Sequence, residues 1–179
     1  MCEIGTYHSS YGRRSLLGWM GATMAGAVVL LAGCAGAPPK PVVTPVALSL
    51  VGAPDVNPDA RGRASPVTVR VYALKTSGPF DGADFFSLYE KDQATLGAEL
   101  VQREEMLLRP GESRKLEMTL PADAKALAFM AAYRDLDRAR WREVRAVEPG
   151  KPVGLNVVFG ARQIRLEPAP PPPAPAPAK

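Results

Sequence analysis

The sequence predicts a mainly β chain folded as a two-sheet sandwich with one or two short helices, and three observations carry that prediction. Apolar and polar residues alternate along several short stretches. Pro-Gly pairs punctuate the chain between stretches. Eight such stretches fit between residues 46 and 167, a spacing that suits short strands and leaves little room for long helices.

The chain of 179 residues opens with a segment that stands apart. Residues 16–32 carry no charge, follow Arg13-Arg14 and run into Leu31-Ala32-Gly33-Cys34. A basic start, an apolar run and small residues before a boundary make up a secretory signal. The run is short for a membrane span of about 20 residues. A core helix is the other reading, against which the proline-rich stretch that follows at once speaks. Leu-Ala-Gly-Cys resembles the lipobox of bacterial lipoproteins, whose cysteine thiol receives a diacylglycerol. That likeness implies a signal peptide over 1–33 and acyl chains on Cys34 as the sole added group, with no other cofactor. Each buried methylene contributes about 0.8 kcal/mol, so several chains make a lasting anchor. Ala35-Gly36 after the cysteine, in place of Asp, implies sorting to the outer membrane. The Arg13-Arg14 pair leaves twin-arginine export open beside the general route.

Residues 34–45 hold four prolines and read as an extended tether with a reach of about 30 to 40 Å. The folded block is expected over 46–167, and 168–179 is a Pro/Ala-rich tail with nothing to bury. Strand candidates are 46–51, the alternation Val67, Val69, Val71 against Thr68, Arg70, Tyr72, then 99–108. Next come Leu116, Met118 and Leu120 against Lys115, Glu117 and Thr119, then 126–134, 141–147, 152–159 and 162–167. The stretch 126–134 is apolar on both faces, as a covered central strand requires. Arg109-Pro110-Gly111-Glu112 and Glu148-Pro149-Gly150-Lys151 suit type II turns. One helix is expected after Asp81 as its cap, with Phe85, Leu88 and Tyr89 on one face. That face packs on a sheet, or else Phe85, Phe86 and Tyr89 line a ligand groove.

Composition limits the chemistry. The only histidine, His8, and both cysteines, Cys2 and Cys34, lie in the leader or at its boundary. The folded block therefore has no metal ligand set of Cys and His, no disulfide and no His-based nucleophile. No phosphate-binding loop or Gly-x-Ser-x-Gly elbow occurs. Glu104-Glu105 point to opposite faces of a strand, and Asp135 and Asp137 sit among Arg134, Arg138 and Arg140 as in a solvated salt-bridged turn. No catalytic residue, and hence no enzyme, is expected. The formal net charge of +4 is too small to argue for nucleic acid as a partner. Residues 52–65 form a connection much longer than a hairpin turn and carry Asn57, Asp59, Arg61 and Arg63, so they are either a partner-binding loop or a floppy polar one.

Asn57-Pro58-Asp59, Gly62-Arg63, Ser65-Pro66-Val67 and Arg70-Val71-Tyr72-Ala73-Leu74-Lys75 follow the lipobox in order. Ala83-Asp84-Phe85-Phe86-Ser87-Leu88-Tyr89, Pro110-Gly111-Glu112, Ala131-Ala132-Tyr133-Arg134-Asp135-Leu136 and Trp141-Arg142 continue the series. Together they resemble the type VI secretion outer-membrane lipoprotein family, TssJ (also VasD or SciN), over nearly the whole block. The resemblance implies a transthyretin-like sandwich tethered to outer-membrane lipid and docked on the periplasmic C-terminal part of a TssM-like inner-membrane protein, in a complex containing TssL. It places the contact in the loop between the first two strands, here Val56, Asn57, Pro58, Asp59, Arg61, Gly62 and Arg63. Ala73 stands where that family often has a larger polar residue, and the tail is not explained by the resemblance. Trp141 is either an interface anchor or, as a tryptophan opening a strand, core. A lipoprotein carrying a lipid or small apolar ligand is the alternative reading.

Overall fold

The computed structural model describes residues 41–169, so Cys34, the signal segment and residues 170–179 lie outside the described part. Eight strands form two four-stranded sheets, as expected. The strands are β1 (Val43–Gly52), β2 (Val67–Leu74), β3 (Leu100–Leu108), β4 (Ser113–Pro121), β5 (Ala126–Ala131), β6 (Arg142–Ala146), β7 (Val153–Phe159) and β8 (Ile164–Pro168). One sheet has the order β4-β1-β7-β8 and the other β3-β2-β5-β6. All pairs are antiparallel except β1 with β7.

The β1 strand starts earlier than expected, within the stretch read as tether. Val43, Thr44 and Pro45 pair with Pro121, Leu120 and Thr119 of β4, whereas β7 joins only from Val46. Pro45 thus stands where β1 has one neighbour, and a missing N–H there need not cost a ladder bond. Thr44 is fully buried and its Oγ1 accepts from the Gly150 N–H at 2.8 Å, which pins this end to the 148–151 turn.

Both expected Pro-Gly turns form. Gly111 and Gly150 have φ of 75° and 80°, and Glu112 N–H and Lys151 N–H close the turns onto the Arg109 and Glu148 carbonyls. Gly52 is required for a different reason, because a Cβ there would lie 2.6 Å from the Arg109 carbonyl oxygen.

Two apolar layers result. Val67, Val69, Val71 and Ala73 of β2 join Leu48, Leu50, Leu120, Phe129 and Phe159 between the sheets. On the other face of β2, Tyr72 and Leu74 join Phe80, Leu88 and Met130 beneath two helices. The alternation along β2 therefore separates two buried faces, not a buried face from a wet one, because helices cover the second. The strand β5 is buried at all six positions, and it ends at Ala131, short of the expected Arg134.

The helical cover is α1 (Gly78–Gly82) and α2 (Phe85–Leu96). Pro79 lies in the first turn of α1, which puts Asp81 inside a helix, and the cap of α2 is Asp84 instead. The Asp84 carboxylate accepts from the Ser87 N–H at 3.0 Å and the Ser87 hydroxyl at 2.6 Å, which holds its pKa below the usual carboxylate range. Non-helical angles at Lys91 kink α2. Side chains then take carbonyls near the break: the Thr95 hydroxyl donates to Ser87 O, and Arg70 Nη1 donates to Leu88 O and Tyr89 O.

Tyr133 is 4 % exposed, and its hydroxyl has no hydrogen-bond partner among the described residues. Burial pushes its phenol far above the ordinary range. The Tyr133→Phe variant is expected to match the wild type or exceed it by about 1 kcal/mol in denaturant unfolding, since an unpaired polar group is removed. A loss larger than that would mean the hydroxyl has a partner.

Candidate docking surface

The loop over 53–66 crosses from one sheet to the other, which accounts for its length. It is braced at three places. Val56 is fully buried in the inter-sheet core, with its N–H on Ala53 O and its carbonyl accepting from Ser65 N–H. Asn57 is 3 % exposed, donates from Nδ2 to Pro66 O at 2.8 Å and accepts at Oδ1 from the Arg134 N–H at 2.8 Å. Its φ of 48° is a left-handed conformation that asparagine tolerates better than most residues. Asp59 collects the Arg61 and Arg63 N–H groups on Oδ1 and the Arg63 guanidinium on Oδ2 at 2.7 and 2.8 Å. Of the two readings of this loop, the floppy one does not fit these bonds.

Those bonds from the Arg63 N–H and guanidinium hold the Asp59 pKa below its ordinary value. A depressed carboxylate pKa means the bracing is present above the normal aspartate range and is lost only as pH falls through the lower, folded-state value. The Arg61 and Arg63 amide resonances are thus expected to stay unchanged through the usual aspartate titration and to shift only below it. Asp59→Asn should abolish the shift. A midpoint at the ordinary aspartate pKa would sink this account.

The seven loop residues expected at the contact divide into two groups. Val56 and Asn57 are buried and position the loop. Pro58 and Asp59 are half-buried, whereas Arg61, Gly62 and Arg63 are exposed at the tip. Beside the tip runs the 132–141 segment, brought there by Asn57. Between them lies an open concavity of about 680 Å³ walled by Pro58, Asp59, Ala60 and Gly62 on one side and by Arg134, Asp135, Arg138 and Arg162 on the other. Sequence reasoning treated the second wall as a separate solvated turn. The Asp135 carboxylate does pair with Arg162, at 3.1 Å, as such a turn would. Of the other carboxylates weighed, Glu105 pairs with Arg70 and Glu104 accepts from Gln102 Nε2 at 3.1 Å. No group of three or more Cys, His, Asp or Glu suited to a metal occurs among the described residues.

The aromatic face of α2 packs more than it opens. Phe85 is 9 % exposed, stacks on Tyr89 and meets the Trp141 ring edge-on at 5.3 Å, while Phe86 is left 61 % exposed. Trp141 is half-buried, with the Arg142 guanidinium 4.8 Å from its ring centre. Arg142 also donates to Phe80 O and Ala83 O, fastening the helices to β6.

The described part is thus an eight-stranded two-sheet sandwich with a helical cover on one sheet and a braced loop crossing between the sheets. Residues 44–166 match the family model described as type VI secretion lipoprotein, VasD, EvfM, TssJ, and the chain belongs to that family. The T6SS lipoprotein TssJ1 from Pseudomonas aeruginosa is 44 % identical, with a TM-score of 0.70 over 74 % of this chain and 100 % of that one. Serratia marcescens Lip, described as a membrane-bound component of the type VI secretion system, is 26 % identical, with a TM-score of 0.65 over 72 % and 97 %. A chain in a structure described as a type VI membrane complex is 26 % identical, with a TM-score of 0.61 over 72 % and 100 %. Comparison with curated proteins gives no match. The family is one of structural secretion lipoproteins, in keeping with the sequence reading.

Proposed function

We propose that this lipoprotein is anchored in the outer membrane by acyl chains on Cys34, faces the periplasm, and docks the periplasmic C-terminal part of a TssM-like inner-membrane protein, in a complex containing TssL. The docking element is the 53–66 loop, with Arg61, Gly62 and Arg63 presented at its tip. The ordered loop carries this reading: a tip held by Asn57 and Asp59 meets a partner with little ordering cost. The match to a chain of a type VI membrane complex supports membership in such an assembly. A lipid anchor in one membrane and a protein contact rooted in the other make the chain a rivet across the periplasm. Phe85 packs against Phe86, Tyr89 and Trp141, which speaks against an apolar-ligand groove between those rings.

The test is recovery from envelope extracts with the full chain. Wild type is expected to be labelled by palmitate, to fractionate with the outer membrane and to recover the TssM-like protein. Cys34→Ser should lose label and membrane fractionation, and Gly/Ser replacement of residues 58–63 should lose the partner while keeping the label. Equal partner recovery by the loop variant would move the interface elsewhere on the sandwich.

A further inference from the structure

We infer that the concavity beside the loop tip receives an acidic segment of the partner, with the guanidinium groups of Arg134 and Arg138 as its carboxylate-binding groups; this rests on the docking reading above. Residues 46–167 are nearly neutral, with 18 Lys+Arg against 17 Asp+Glu. Arginines nonetheless gather at one end. A second concavity shares Arg138 and Arg162 with the first and adds Arg140 and Arg165, so the two are neighbours along one end of the sandwich. Two main-chain N–H groups hold this end together, that of Arg134 donating to the Asn57 side-chain Oδ1 and that of Arg140 to the Arg162 carbonyl at 2.8 Å.

Both carboxylates that line the first concavity are paired, whereas Asp55 beside the second and Asp137 have no cation partner among the described residues. Asp59 is taken by Arg63, and Asp135 by Arg162. Arg140 leans on Glu143, and Arg165 on Glu167. Arg61, Arg134 and Arg138 are exposed and have no carboxylate partner among the described residues. Two unpaired guanidiniums, Arg134 and Arg138, thus stand at fixed positions in the wall of the first concavity, with Arg61 on the adjoining loop tip, and fixed cationic donors orient an anionic partner.

The chemistry favours a peptide carboxylate over a lipid surface. Every cation of the cluster is arginine and none is lysine, and the planar guanidinium suits paired hydrogen bonds to a carboxylate. Arg134 and Arg138 line a concavity with Pro58, Ala60 and Gly62 on its wall, which accommodates a chain segment.

The experiment uses the full acylated chain in detergent, titrated with the periplasmic part of its cognate TssM-like protein at low and moderate salt. Arg134→Gln with Arg138→Gln is expected to weaken binding about tenfold or more and to flatten the salt dependence. Arg134→Lys with Arg138→Lys should keep the salt dependence but bind several-fold more weakly than wild type. Lys151→Gln, at the opposite end of β7, is the control and should bind as wild type. Melting temperatures confirm folding of each variant. If replacement of residues 58–63 abolishes binding while the double Gln variant matches wild type at both salts, the docking reading stands and the acidic-segment inference falls. Failure of wild type to bind overturns both. Wild-type capture of phosphatidylglycerol vesicles, lost in the double Gln variant without any change in partner affinity, assigns the cluster to lipid phosphate and also overturns the inference.

Discussion

Replacing Arg70 with alanine is expected to destabilise the domain by about 3–5 kcal/mol, the cost of breaking a buried ion-pair network by removing one member. Arg70 is 8 % exposed, and its guanidinium contacts Glu105, lies 3.6 Å from the Asp92 carboxylate and covers the Tyr89 ring at 4.7 Å. Its bonds to Leu88 O and Tyr89 O are the ones that matter most, because the kink at Lys91 breaks the regular helix next to those carbonyls. Without Arg70 they are left under a packed helix, and Asp92, itself 7 % exposed, keeps only Arg103 at 2.7 Å as its cationic partner. Arg70→Met restores volume and not donors, so it should recover only a minor part of the loss. Glu105→Gln removes the half-exposed partner and should cost about 1 kcal/mol or less. Denaturant unfolding of the three variants gives the ranking. Equal losses for Arg70→Ala and Glu105→Gln would reduce the network to an ordinary surface pair.

The same residue shows where local pattern stops being informative. Val67, Val69 and Val71 were legible as one buried face because period-two alternation needs only neighbours along the strand. That Arg70 and Tyr72 are buried too depends on α2 lying over them, and α2 packs there through Phe85 and Leu88, residues remote in sequence. Pro79 could have signalled the start of α1, and with it the transfer of the cap of α2 from Asp81 to Asp84. Pro45 hid the start of β1, since proline argues against a strand unless the neighbouring strand begins later. For the docking surface, length and polarity identified the first wall. The second wall was out of reach because what joins it to the first is one side chain, Asn57, bonded to a backbone group 77 residues away.

Asn57 therefore carries the other large expected effect. Asn57→Ala removes the acceptor of the Arg134 N–H and the donor to Pro66 O together, and it places a Cβ-bearing residue without a local polar side chain at φ 48°. Leaving one buried polar group unpaired costs about 1–3 kcal/mol, so a loss of about 2–4 kcal/mol is expected if water enters only partly. Asn57→Gly separates the two causes: it relieves the left-handed backbone but forms neither bond, so its loss should be smaller by about 1 kcal/mol. Asn57→Asp keeps the acceptor, loses the donor and sets a carboxylate facing the Pro66 carbonyl in a buried site, which should make it worse than glycine at neutral pH and less so in acid. A second readout concerns the contact itself. Once Asn57 lets go, the tip residues Arg61 and Arg63 are no longer fixed relative to Arg134, and binding must order two loops instead of meeting them ordered. Partner affinity should then fall for Asn57→Ala even at temperatures where the domain is fully folded, with the deficit appearing as faster dissociation. Hydrogen exchange at the Arg134 amide reports the bond directly. If that amide exchanges as slowly in Asn57→Ala as in wild type, something other than Asn57 holds the two walls together, and the account of how this surface is built is wrong.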